Sequence, residues 1–309
     1  YLIKKVGSNF KINNYLIFVL LATVCDVMPL RKINKIIASN VIKNFEINDN
    51  IVFKFIFNKL GLNKKLTIDD LGFLIGPIIN SGGRLGFSNY SIELLTTNNL
   101  KLIQKRSIEL IRLNEKRKLL EKNILDKIDY GKIDKKNQNV IIYYDKNINE
   151  GLIGIIAARL KDYFNKPSIV ITKSDNILKC SARSTFNYNI GNLIKLLIDK
   201  KIIEKGGGHN MAAGFTIKKN KIYLLNDFIQ KDFAKKISNI DSSYKYEKEI
   251  SASAINKRFM DEINKLGPFG NHNFLPIFMI RNVKIIKSNI LNKKHISVIV
   301  KPNIGSSLK

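Results

Sequence analysis

The stretch that decides the fold runs from VIIYY (140–144) through EGLIGIIAARL (150–160), PSIVIT (167–172) and KCSARS (179–184) to GGGHNMAAG (206–214). Val140 to Tyr144 is a short β-branched and aromatic run and reads as a strand. Gly151 to Tyr163 repeats its apolar residues every three to four positions and reads as a helix. Ser168 to Thr172 and Cys180 to Ser184 read as the second and third strands, and Ile190 to Lys200 as a second helix. A glycine loop at Gly206, Gly207 and Gly208 then precedes a further strand, Ala212 to Ile217. Alternation of strand and helix predicts an α/β domain with a largely parallel sheet.

Working outward, Ser88 to Ile128 contains neither Pro nor Gly. Ile92, Leu95, Leu102, Ile103, Leu110, Leu113, Leu120, Ile124 and Ile128 recur there at helical spacing. This predicts a long amphipathic helix or a helix pair, of a length that suits a connector between two domains. Further upstream, apolar segments at 15–24 and 36–45 flank the loop Asp26 to Leu30, where Pro29 disfavours helix at Met28. Ile51 to Leu60 reads as a helix closed by Gly61. Gly76 to Gly86 is rich in glycine, which implies positive φ or close backbone approach. Downstream, strand-like runs near Ile277 to Ile286 and Ile296 to Val300 suit the start of a small barrel.

Composition narrows the class. The 309 residues include 53 Lys and Arg against 25 Asp and Glu, a net charge of +28. Only nine of the cations are Arg, and the excess of Lys, Ile and Asn is what an AT-rich coding sequence produces. The field of such a chain nevertheless attracts polyanions, nucleic acid first. Two cysteines, Cys25 and Cys180, exclude a disulfide framework and a multi-cysteine zinc site and fit a reducing compartment. The apolar run Tyr15 to Val24 is stopped by Asp26 and is shorter than the ~20 residues of a membrane helix. No secretory signal pattern is present at the start. The first residue, Tyr1, and the last, Lys309 just beyond a strand-like run, read as the ends of a fragment.

Several residues could carry chemistry. Asp26 ends an apolar run before a Pro-containing loop, where a carboxylate at a strand's carboxyl end can hold a metal; a turn or cap Asp is the commoner use. Gly206, Gly207 and Gly208 followed by His209 could form a nest of backbone N–H groups around a phosphate, with His209 as a titratable donor. The plain alternative is a flexible turn with an exposed His. Ser181, Arg183 and Ser184 offer two hydroxyls and a guanidinium fork suited to a terminal phosphate. Arg84 could be another such cation, and an Arg kept against a Lys-rich background suggests that fork geometry matters.

With these residues in view, LLATVCDVMPL (20–30), LGFLIGPIINSGGRLG (71–86), EGLIGIIAARL, KCSARS, GGGHNMAAG and LGPFGNHN (266–273) together resemble the RecJ family of single-stranded-DNA-specific 5′→3′ exonucleases, within the DHH phosphoesterase superfamily. The six motifs stand in family order. The resemblance implies residues 1–87 as the C-terminal part of a DHH catalytic lobe and 88–136 as a connecting helix. It implies 137–240 as the DHH-associated substrate-binding lobe, an α/β unit with a mixed sheet, and 246–309 as the start of an OB-fold nucleic-acid-binding barrel. It further implies two divalent metals, Mn²⁺ or Mg²⁺, that activate water, with Asp26 matching the last metal-binding aspartate. Asn80 and Arg84 match the GP-x-x-N-x-x-G-R motif near the substrate, Ser181 and Arg183 the grip on a 5′-terminal phosphate with Ser184 beside them, and Gly206, Gly207, Gly208 and His209 the signature facing the scissile phosphate. The implied context is a cytoplasmic monomer acting on 5′-phosphorylated single-stranded DNA in repair and recombination, with single-strand-binding protein as a partner.

Three departures accompany the match. The Asp-His-His triplet is absent, since the histidines are His209, His272 and His295; Ile148-Asn149 stands where the family has Trp-His; and Cys180 replaces a Gly. Two other readings share parts of the pattern. A smaller DHH-type phosphodiesterase acting on oligonucleotides or cyclic dinucleotides would have the GGGH loop but no barrel. A non-catalytic nucleic-acid-binding module, like the appended domain of alanyl-tRNA synthetases, would have no use for Asp26.

Overall fold

A computed structural model describes residues 15–175, 177–236, 245–291 and 295–302. Contacts divide the chain into two units, residues 1–77 with 243–309, and residues 78–242.

The described part of the first unit opens with three helices, α1 (Leu16–Cys25), α2 (Lys32–Asn44) and α3 (Ile51–Lys59). Ile17, Leu20 and Leu21 of α1 and Val52, Phe53, Ile56 and Phe57 of α3 are all buried. Asn50 caps α3 by accepting from the Val52 N–H at 3.0 Å, and Gly61, at φ 67°, ends it. The apolar run before Asp26 is thus a helix, not a strand: its apolar residues bury a helical face, and Asp26 follows as the helix's C-terminal cap.

A π-helical turn, Asp70–Ile75, leads into α4 (Gly76–Arg84). The glycine-rich segment is therefore helical rather than turn-like, and of its glycines only Gly86 has a positive φ, 89°. Close approach explains Gly76 and Gly82, whereas a Cβ on Gly83 would meet nothing within 4 Å. A Cβ on Gly76 would stand 2.5 Å from Cys25 Sγ, and one on Gly82 would stand 2.7 Å from the Phe87 carbonyl oxygen.

The second unit continues with α5 (Ser88–Thr96), the 27-residue α6 (Leu100–Asp126) and α7 (Tyr130–Lys135). Residues 88–135 thus form several helices rather than one, because Asn99 starts α6 afresh by accepting from the Leu102 N–H at 3.2 Å. Then come β1 (Ile141–Tyr144), α8 (Ile153–Phe164), β2 (Ser168–Ser174), β3 (Ile177–Arg183), α9 (Ile190–Asp199), β4 (Lys205–Gly208), β5 (Ala212–Ile217) and α10 (Ile222–Lys236). The sheet order is β1-β2-β3-β5-β4. Only β1 and β2 pair in parallel; the other three pairings are antiparallel. The expectation of a largely parallel sheet is corrected by loop length. Two residues separate β2 from β3 and three separate β4 from β5, too few for any crossover.

Helices cover both faces of this sheet. Ile169, Ile171, Cys180, Ala182, Ala213 and Phe215 pack with Leu193 and Leu197 of α9 and Leu225 and Ile229 of α10. On the other face, Ile141 and Val170 pack with Ile153, Ile156, Ala157 and Leu160 of α8.

The chain then returns to the first unit. Strand β6 (Lys248–Glu249) pairs in parallel with β7 (Phe278–Met279), with α11 (Lys257–Lys265) between them in sequence. Strands β8 (Val283–Leu291) and β9 (His295–Pro302) form an antiparallel hairpin. The loop before β7 joins the start of the unit: the Leu30 N–H donates to the Asn271 carbonyl at 2.8 Å and Arg31 Nε to the His272 carbonyl at 2.6 Å. Gly270 fits here because a Cβ would stand 2.5 Å from Leu30 Cδ1.

Candidate phosphate-binding site

Strand β3 sets the geometry. Ser181 and Arg183 alternate with Cys180 and Ala182, so both project from the face that α8 covers. The cross-strand row from Ser181 runs through Gly214 of β5 to Gly207 of β4. Gly214 and Gly207 are exposed, and neither carries a side chain. Helix α8 lies over β2 and β3, and a bare backbone floor lies beside Ser181 and Arg183 on the β5–β4 side.

The first turn of α8 closes the near side. Gly154 sits against the grip, where a Cβ would stand 2.9 Å from Arg183 Nη2 and 3.1 Å from Ser181 Oγ. Gly151, just before α8, accepts a hydrogen bond from Arg84 Nη1 at 3.1 Å. Arg183 Nη1 donates to Ser181 Oγ at 3.2 Å and to the Ala182 carbonyl at 2.8 Å. Among the described residues, neither Arg84 nor Arg183 has a carboxylate partner.

Burial holds the Arg183 guanidinium below its ordinary value. Burial does the same at Arg84, reinforced by the like charges of Arg117 and Arg183 and opposed by Glu121. Two half-buried cations without a directly bonded carboxylate are costly unless an anion completes them.

The other expected residues fall differently. Asn80 is exposed on α4. Ser184 is buried, with its hydroxyl donated to the Tyr188 carbonyl and its N–H to the Met211 carbonyl at 2.9 Å; it secures the loop and has no free donor for a ligand. Gly206, Gly207 and Gly208 are strand β4, not a loop nest, and none has a positive φ. Glycine is needed there because a Cβ on Gly206 would stand 2.6 Å from Phe215 Cβ, and one on Gly208 would stand 2.4 Å from Ala213 Cβ. His209 is exposed in the β4–β5 hairpin, where its N–H donates to the Ala212 carbonyl at 2.8 Å.

Asp26 lies in the first unit, exposed, with its N–H on the Ala22 carbonyl at 2.9 Å. No group of three His, Cys, Asp or Glu converges among the described residues. These residues do not by themselves fit a divalent-metal site.

Sequence reading missed the supporting polar residues Arg117, Glu121 and Arg159. Arg117 bonds Asn114 and Glu121 on its own helix, and Glu121 also takes Arg159 of α8. The spacing of four between Arg117 and Glu121 was visible, but such pairs usually sit on solvated helix faces.

The chain is similar to known proteins over most of its length. Residues 137–235 match the DHHA1 domain, and residues 246–308 match the RecJ OB domain. The single-stranded-DNA-specific exonuclease RecJ of Haemophilus influenzae is 27% identical over 314 residues, covering 94% of this chain and 53% of that protein. RecJ of Escherichia coli is 27% identical over 259 residues, covering 79% of this chain and 44% of its own length. The chain thus spans about half the length of the curated relatives it matches. The crystal structure of RecJ from Thermus thermophilus in complex with Mn²⁺ superimposes with a TM-score of 0.83 at 20% identity, covering 99% of this chain and 45% of that one. A second, with Mg²⁺, gives 0.79.

Proposed function

From a chain that is RecJ-like and carries a DHHA1 domain and a RecJ OB domain, we propose the function of a single-stranded-DNA exonuclease that engages a 5′-phosphorylated end. The observation that carries this is the pair Arg84 and Arg183, half-buried without carboxylate partners at the edge of a floor of exposed glycine backbone. A terminal phosphate supplies the missing anion. Arg183 is already oriented by Ser181 Oγ and the Ala182 carbonyl, while its Nε and Nη2 have no hydrogen bond among the described residues. Those two nitrogens make a fork that matches two phosphate oxygens. Gly214 and Gly207 let the strand lie against backbone, and His209 stands exposed at the end of that floor to donate to a phosphodiester oxygen.

What these residues do is bind, orient and exclude alternatives; the hydrolytic chemistry of a RecJ-type enzyme is metal-dependent, and Asp26 is the residue here proposed to contribute to it. Residues 1–87 are proposed as the end of the catalytic lobe, 88–136 as the connector, 137–240 as the substrate lobe and 246–309 as the beginning of the barrel. Work in DNA repair and recombination, a cytoplasmic location, a monomeric state and an encounter with single-strand-binding protein belong to the same proposal. Two free cysteines support a reducing compartment, and no described helix is long and apolar enough to cross a membrane.

The test is binding of one oligonucleotide with a 5′-phosphate or a 5′-hydroxyl, read by fluorescence anisotropy. A charge-assisted bond contributes about 1.5–3 kcal/mol, so Arg183→Ala is expected to weaken the phosphorylated strand by about 10–150-fold and the hydroxyl strand hardly at all. Arg183→Lys should not rescue, because an ammonium lacks the planar fork. Equal losses on both strands would remove the 5′-phosphate assignment.

A further inference from the structure

Helix α6 carries a chain of polar contacts that the phosphate grip does not itself use. Asn114, Arg117 and Glu121 share one face of α6, and the side chains of Asn114 and Glu121 are buried. Arg117 donates through Nη2 and Nε to Asn114 Oδ1 at 2.9 and 3.3 Å, and through Nη1 to Glu121 Oε2 at 2.7 Å. Glu121 Oε1 takes Arg159 Nε of α8 at 2.7 Å. All three donor nitrogens of Arg117 are therefore engaged on its own helix, and Arg117 is held rather than offered to a ligand.

This network is an expensive way to join two helices. Leu120, Ile124 and Ile128 already pack with Ile153 and Ile156 across the same seam. Apolar contact is non-directional and tolerates sliding, whereas a buried carboxylate gripped from both helices has one low-energy register. Register matters here because the start of α8 seats both phosphate arginines, Arg84 at the Gly151 carbonyl and Arg183 beside Gly154. The charges of Arg117 and Glu121 are also felt at Arg84, with opposite signs.

We infer that Glu121 is a positioning residue of the phosphate site: by holding Arg117 on α6 and Arg159 on α8, it fixes where the first turn of α8 places Arg84 and Arg183. The inference rests on the phosphate reading given above. Arg159 and Glu121 act through the helices and touch no substrate.

The experiment uses the 309-residue chain and reads the ratio of affinities for a 5′-phosphorylated and a 5′-hydroxyl oligonucleotide, with a melting curve for each variant. Arg159→Ala cuts only the bond between helices and leaves the Arg117–Glu121 pair in place. Because the Arg159 side chain is 56% exposed, the variant should fold. The ratio is expected to fall by about five-fold or more, with affinity for the hydroxyl strand held within about two-fold. Arg159→Lys is expected to restore it, since one bond to Glu121 needs a cation and not a fork. Glu121→Gln should lower both the ratio and the melting temperature, because Arg117 loses its buried counter-charge.

A lower melting temperature with an unchanged ratio in Arg159→Ala would make the network structural only and overturn the inference. So would an equal loss on both strands, which would make Arg159 a general backbone contact. If Arg183→Ala still abolishes the phosphate preference in those cases, the phosphate site itself stands. If the unsubstituted chain shows no preference for a 5′-phosphate, the phosphate reading fails and the positioning role falls with it.

Discussion

Arg84 and Gly151 meet backbone against backbone. Arg84 Nη1 donates to the Gly151 carbonyl at 3.1 Å, and a Cβ on Gly151 would stand 2.1 Å from the Arg84 carbonyl oxygen. The end of α4 and the start of α8, 67 positions apart in sequence, are therefore in contact with no room for a methyl group. That contact ties an arginine of a glycine-rich helix to the helix that shields the sheet.

Gly151→Ala consequently has no cheap escape, because the obstructing atoms are backbone. Overpacking of this kind costs about 1–3 kcal/mol, and here the displaced element carries Arg84 itself. The expected outcome is a clear fall in melting temperature together with loss of preference for a 5′-phosphorylated strand. A variant that melts like the parent and keeps the preference would show that the close contact is not maintained.

Gly154→Ala should behave in the opposite way. Its Cβ would meet Arg183 Nη2 at 2.9 Å and Ser181 Oγ at 3.1 Å, both on side chains that can turn aside. Alanine is also a better helix former than glycine, by up to about 1 kcal/mol in a helix interior and less in the first turn. The melting temperature is expected to hold or rise slightly, while affinity for the 5′-phosphorylated strand falls and the hydroxyl strand is spared. Unchanged discrimination in this variant would mean that Arg183 does not work from the position seen beside Gly154.

The contrast between these two glycines shows which parts of the site were legible in the sequence. Strand β3 could be read because Cys180, Ser181, Ala182 and Arg183 alternate, and that alternation alone places Ser181 and Arg183 on one face. Helix α8 could be read from the spacing of Ile153, Ile156 and Leu160. Strand direction was less accessible: the loops joining β2 to β3 and β4 to β5 are only two and three residues long, and a run of three glycines has the composition of a loop. Gly206 and Gly208 look like flexibility in a one-dimensional reading, yet they are demanded by Phe215 and Ala213 in the sheet. Glu121 was hidden for a different reason. A Glu four residues after an Arg is ordinary on a solvated helix, and only the burial of Glu121 and its bond to Arg159 on another element set it apart.

Net charge alone does not separate function from codon bias, but the salt dependence of binding does. Each phosphate neutralised on a single strand contributes about −0.7 to the slope of log affinity against log salt. If six or more phosphates are engaged, raising salt from about 50 to about 200 mM should weaken binding by roughly two to three decades. A lysine-rich surface without a track would bind diffusely, with affinity that depends little on which residue is removed. Arg183 distinguishes the two cases. Its substitution by Ala should reduce the slope by about 0.7 on the phosphorylated strand and leave the slope on the hydroxyl strand unchanged, because only the first strand offers a terminal dianion to that fork. Anisotropy titrations at four or so salt concentrations would measure both slopes. A flat response in the parent chain would assign the +28 charge to composition, and an equal change on both strands would make Arg183 one cation among many.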